Sequence, residues 1–132
     1  MSEKPNPTQK EYLILKILWA LGPSTVRSVH EALMELPDVK KVGYTTTLKM
    51  MQVMHSKGML DRDEHEVSHI YRAIISEAED TEKILDEMVD RSFKGSASKL
   101  VLQVLGRHKA SRQELDQIRS FLDDLESEQD GK

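Results

Sequence analysis

Apolar residues recur at helical spacing along most of the chain, and an alternation of two replaces it only between Met59 and Ile75. The pattern predicts a first helix over about Gln9–Leu21, apolar almost all round through Leu13, Ile14, Leu15, Ile17, Leu18 and Trp19. A helix with no polar face belongs at the centre of a fold. Thr8-Gln9-Lys10-Glu11 opens it as a capping box, and Gly22-Pro23 stops it. Ser24 or Thr25 caps a second helix with Val26, Val29, Leu33 and Leu36 on one stripe, ended by Pro37. A third helix of about four turns is bracketed by Gly43 and Gly58. Met59–Arg62 and His69–Ile75 read as two short strands around a charged turn, Asp63–Ser68.

Beyond Ser76 the period is helical again. Stripes run through Ile84, Leu85, Met88, Val89 and Phe93 in a helix of about Glu77–Lys94, then through Leu100, Val101, Val104 and Leu105. Ser111-Arg112-Gln113-Glu114 is a second capping box and opens a last helix striped by Leu115, Ile118, Phe121, Leu122 and Leu125. Met1–Pro7 reads as a poorly ordered arm and Ser127–Lys132 as a frayed tail.

Three helices followed by a hairpin is the order of a winged helix-turn-helix. The expected fold is therefore mostly α with a small β-hairpin: an N-terminal winged helix-turn-helix over 1–75 and a C-terminal helical region over 76–132. Three short amphipathic helices have little core of their own. Their stripes suit pairing with a second copy, with Leu100, Val104, Leu115, Ile118 and Leu122 as candidate dimerisation residues. Folding back onto the winged part is the alternative.

Charge divides the same way. The chain carries −4 overall, which argues against nucleic acid until it is split. Residues 1–75 hold ten basic against nine acidic side chains, and residues 76–132 hold nine against fourteen. Within the first part, Val39–Gly58 has Lys40, Lys41, Lys49 and Lys57 and no acid. On the third helix Thr47, Leu48, Met51 and Met54 share the side that can bury. Thr45, Thr46, Lys49, Met50 and Val53 share the other. Hydroxyls can bond phosphates or base edges, and lysine adds attraction to phosphate, so this helix suits a DNA groove. An ordinary amphipathic helix with threonines on a solvated face fits the same pattern.

Other chemistry finds less support. With no cysteine, disulfides and thiolate metal sites are excluded, and no long apolar run or apolar leader stands in the sequence, so a cytoplasmic protein without direct membrane binding is expected. His30-Glu31 lacks the second histidine of a zinc-peptidase helix, because Met34 holds that place. His55, His65 and His69 with Asp61, Asp63, Glu64 and Glu66 could form a nitrogen/oxygen metal site on the wing, though a wing is charged simply because it is solvated. No phosphate loop or nucleophile elbow is present, and neither an enzyme nor a bound cofactor or metal is expected.

Thr25-Val26-Arg27-Ser28-Val29-His30-Glu31-Ala32-Leu33, Val42-Gly43-Tyr44-Thr45-Thr46-Thr47-Leu48 and Lys57-Gly58-Met59-Leu60-Asp61-Arg62 resemble the penicillinase-repressor (BlaI/MecI/CopY) family, over about Thr8–Leu125. The resemblance implies a homodimeric transcriptional repressor on a palindromic operator, with the Tyr44–Ser56 helix in the major groove and the wing beside it. Carried over by position, Tyr44, Thr45, Thr46 and Lys49 face double-stranded DNA and Arg62 stands at the base of the wing. The family often has arginine where this chain has Val53, and proline where it has Ala73. In the penicillinase branch a membrane sensor metallopeptidase signals cleavage in the dimerisation region. The matching bond here is Gln103-Val104, and neither residue matches the usual Asn-Phe. The cysteine-based copper sensing of another branch is excluded. A winged-helix protein–protein interaction module without DNA binding is the alternative function.

Overall fold

The computed structural model describes residues 6–65 and 67–131. Met1–Pro5 of the arm, Glu66 of the wing cluster and Lys132 of the tail lie outside them. The described residues form two compact units, Met1–Lys83 and Ile84–Lys132.

In the first unit, α1 (Gln9–Leu21) begins at the expected capping box: the Glu11 N–H donates to the Thr8 hydroxyl and the Thr8 N–H to Glu11 Oε1. β1 (Ser24–Thr25) follows, and Thr25 then caps α2 (Val26–Glu35) by accepting from the Ser28 N–H. After α3 (Tyr44–Ser56), Gly58 at φ 81° turns the chain into β2 (Leu60–Asp63), a conformation that a side chain would strain. β3 (Ile70–Ala73) returns antiparallel to β2, with Arg62 opposite Tyr71.

The hairpin gains a third strand that the sequence did not announce. β1 pairs with the outer side of β3, Ser24 opposite Tyr71 and Thr25 opposite Ile70, giving the order β1-β3-β2. The edge of β3 is thereby covered, which ties the start of α2 to the wing.

All three helices and the sheet close on one core. Ile14, Leu15 and Leu18 meet Val29 and Leu33 of α2, Met51 and Met54 of α3, and Leu60 and Tyr71 of the sheet. Thr47 is fully buried among them and shares a 2.8 Å hydrogen bond with His30 Nδ1, which joins α3 to α2. Trp19 Nε1 donates to the Ile75 carbonyl at 2.9 Å, fixing the end of the sheet to α1.

α4 (Glu77–Ser92) starts in the first unit, where Asp80 is buried, and ends in the second. The second unit continues with α5 (Ala97–Arg107), capped by Ser96, and α6 (Arg112–Asp130), opened by the Ser111–Glu114 capping box. Helix continues through the residues expected to fray, as far as Asp130. Ser127 and its glutamate and glutamine neighbours are compatible with helix, and the Gly131 N–H closes the last turn on the Ser127 carbonyl.

No residue of α5 or α6 is buried. Apolar side chains stand in solvent along the second unit: Ile84, Leu85 and Met88 on α4, Leu102 at 70% exposure on α5, Phe121 at 61% on α6. Of the five dimerisation candidates, Leu100, Leu115 and Ile118 are half-buried and Val104 and Leu122 exposed. Gln103 and Val104 sit mid-helix in α5, both exposed.

Candidate nucleic-acid interface

α3 owes its orientation to Thr47, Met51 and Met54, whose burial turns the opposite side outward. That outward side carries Thr45, Lys49, Gln52, Val53 and Ser56, all exposed, with Thr46 at its margin. None is acidic, and Lys49 makes no ion pair among the described residues. The spacing i, i+4, i+8 from Thr45 through Lys49 to Val53 lines them along about 12 Å of helix, the width of a B-form major groove.

Two depressions of about 420 Å³ each flank α3. One lies toward the start of α1 and is lined by Lys10, Thr45, Thr46, Lys49, Met50 and Val53, among others. The other lies toward the wing, between Thr25 of β1, Arg27 of α2, Tyr44, Leu48 and Gln52 of α3, and Val67, Ser68 and His69. A recognition helix standing between two such channels has room for a backbone strand on either side.

Tyr44 is half-exposed and anchored at the first turn of α3. The Arg27 guanidinium stacks 4.9 Å from its ring centroid, and His30 meets the ring edge-on at 6.0 Å. Stacking costs Arg27 none of its hydrogen-bonding capacity, so its donors stay available beside α3.

Not every residue of the basic stripe is free. Lys57, which caps the C-terminus of α3, donates to Glu11 Oε2 at 2.9 Å. Burial pushes the Glu11 carboxyl up, but bonds from Lys57 and the Thr8 N–H, with the charge of Lys57, outweigh it and hold it below the ordinary carboxylate range. Lys57 therefore fixes α3 to α1. Lys41 is bound to the Met34 carbonyl and closes the α2–α3 turn.

Arg62, at the base of the wing as expected, is folded onto the wing itself. Nε donates to Glu64 Oε2 at 2.7 Å, and the guanidinium lies 5.8 Å from the Tyr71 ring centroid, with its side chain 21% exposed. The other described wing acids are paired as well, Asp61 with Arg72 and Asp63 with His65. Asp61 is held below the ordinary carboxylate range by the Arg62 N–H and then by Arg72, Asp63 by the N–H and ring of His65, and Glu64 by the Arg62 guanidinium. The His65 ring is pushed up by Asp63. Pairing removes most of the repulsion that these three carboxylates would offer a phosphate backbone. Among the described residues no three metal-ligating side chains converge, so His55, His65 and His69 form no common site there.

α2, α3 and the β2–β3 wing thus make a winged helix-turn-helix, the architecture of DNA-binding transcription regulators. Residues 7–124 match the family model of the penicillinase repressor, and the chain belongs to that family. Repressors of this family regulate transcription by binding DNA, which agrees with the exposed face of α3. Among solved structures, a MarR family protein from Bacillus stearothermophilus is similar: 19% identical, TM-score 0.49, covering 95% of this chain and 76% of that one. No curated protein matches. No helix among the described residues is long and apolar enough to cross a membrane.

Sequence reasoning overlooked Gln52 and Arg27. Gln52 stands three residues beyond Lys49 on a helix whose buried side was already assigned, so the wheel alone could have found it. Arg27 needed the tertiary fold, because only the packing of α2 against α3 brings it over Tyr44.

Proposed function

We propose that the protein is a homodimeric transcriptional repressor that binds a palindromic operator. Residues 1–75 form its DNA-binding part and 76–132 its dimerisation part. Each protomer lays α3 in a major groove, with Thr45, Thr46 and Lys49 toward base edges and phosphates and Tyr44 at the helix's entry. Arg62 acts from the base of the wing, exchanging Glu64 for a phosphate when DNA is present; both are anions that a guanidinium can grip through two donors. The observation that carries this reading is the acid-free outward face of α3, set by the burial of Thr47, Met51 and Met54.

Dimerisation is supported by the second unit's uncovered apolar stripes. Leu100, Val104, Leu115, Ile118 and Leu122 meet their counterparts in a second copy, and the two α3 helices are thereby linked. Losing that link removes an avidity of roughly 10²–10⁴, enough to empty the operator. Proteolysis at Gln103-Val104 would act this way, by a membrane sensor metallopeptidase or another inducing protease. Both residues are exposed but helical, so α5 must open locally before a protease can take the bond.

Selection of binding sites from random duplexes tests the function. Enrichment of an inverted repeat is the expected result. Recovery of no motif at physiological salt would leave a winged-helix protein–protein interaction module as the better reading.

A further inference from the structure

We infer that Val53 reads a thymine, by packing against its C5 methyl group in each half-site; this rests on the DNA-binding role of α3 proposed above. Val53 is 40% exposed on the outward face of α3, in line with Lys49 one turn before and Thr45 two turns before. A β-branched residue on an exposed helix position adds nothing to the helix, and Val53 is not among the buried or partly buried side chains of the core. It lines a depression with Met50, Lys10, Thr46 and Lys49. Apolar surface with two ammonium groups nearby matches a thymine nucleotide, which offers a methyl on its major-groove edge and a phosphate on its backbone. Glu11 also borders the depression, but its carboxylate is taken by Lys57 and the Thr8 N–H.

In the major groove the methyl of thymine is the apolar feature that distinguishes it, and an apolar side chain is its natural complement. A valine can neither donate to guanine nor accept from cytosine. From Thr45 to Val53 the helix advances about 12 Å, three to four base steps, so the thymine lies that far along the groove from the base beside Thr45.

The experiment replaces thymine by uracil, one position at a time and symmetrically in both half-sites, in an operator recovered by selection. Uracil lacks only the methyl group. For the unmodified protein, one symmetric pair is expected to lower affinity about fourfold per half-site and about sixteenfold together, the ratio for about 0.8 kcal/mol per methyl. With Val53→Ser, the penalty at that pair should vanish while penalties elsewhere persist; Val53→Ala should give an intermediate loss. Equal uracil penalties for the unmodified protein and Val53→Ser at every thymine would overturn the inference and leave the DNA-binding reading standing. Absence of any selected motif would overturn both.

Discussion

Removing the Glu11 carboxylate should loosen α3 without touching it. Oε1 accepts from the Thr8 N–H at 3.0 Å and Oε2 accepts from Lys57 at 2.9 Å, so one side chain closes the start of α1 and holds the end of α3. Loss of one arm of a capping box costs about 1 kcal/mol. The ion pair adds about 1 kcal/mol: Glu11 is 7% exposed, but Lys57 is 35% exposed and screened, which keeps the pair below fully buried values. Glu11→Ala should therefore destabilise the fold by about 2 kcal/mol. At about 2.1 cal/mol/K per residue, Tm falls by about 7 °C if the whole chain melts together and about 11 °C if Met1–Lys83 melts alone.

Thermal melts at one protein concentration supply the number, since a dimer's Tm depends on concentration. Glu11→Gln keeps an acceptor for the Thr8 N–H and should lose about half as much. A cycle of Glu11→Ala and Lys57→Ala should return a coupling of about 1 kcal/mol. The carboxyl's value is lowered in the fold, so its contribution is present above the ordinary carboxylate range and lost as pH falls through the lowered value. Protonation removes the ion pair with Lys57 but leaves an acceptor for the Thr8 N–H, so the gap between the two proteins should narrow as pH falls through the lowered value. A Glu11→Ala protein melting within 2 °C of the unmodified one at pH 7, about a quarter of the expected shift, would refute the linkage of α1 to α3, as would a gap unchanged at low pH.

Three further outcomes follow from the same geometry. Lys49→Ala should weaken operator binding and reduce the salt dependence by about one ion per protomer, read from affinity against salt concentration; an unchanged slope removes Lys49 from the phosphate contacts. Leu115→Asp or Leu122→Asp should give monomers with poor operator binding, and a dimeric mass by light scattering at micromolar concentration would contradict it. Asp63 raises the His65 value, so the ring keeps its positive charge beyond the usual histidine range and loses it as pH rises further. Operator affinity should therefore hold through the ordinary histidine range and decline only above it, and His65→Gln should flatten that part of the profile. A profile identical in the two proteins would place the titrating group elsewhere.

Helix starts were legible because their chemistry is local. Thr8 with Glu11 and Ser111 with Glu114 need only a spacing of three, and both capping boxes formed. The outward face of α3 was legible for a similar reason, since Thr47, Met51 and Met54 declare one side by period alone, but Met50, expected outward, is half-buried and packs against the core. β1 was not, because two residues have no periodicity and Ser24-Thr25 already read as a cap. The partner of Lys57 was invisible too: Glu11 is 46 positions away and only the packed core brings them together. Arg62 could have been anticipated, since the hairpin register sets it opposite Tyr71.

The central claim is that two copies of this chain each place α3 in a major groove of one duplex. Hydroxyl-radical footprinting on a selected operator tests it most directly. Two protected patches related by a dyad, with centres a whole number of helical turns apart, are what two linked recognition helices produce. A single unsymmetrical patch, or protection unchanged by Leu122→Asp, would contradict it.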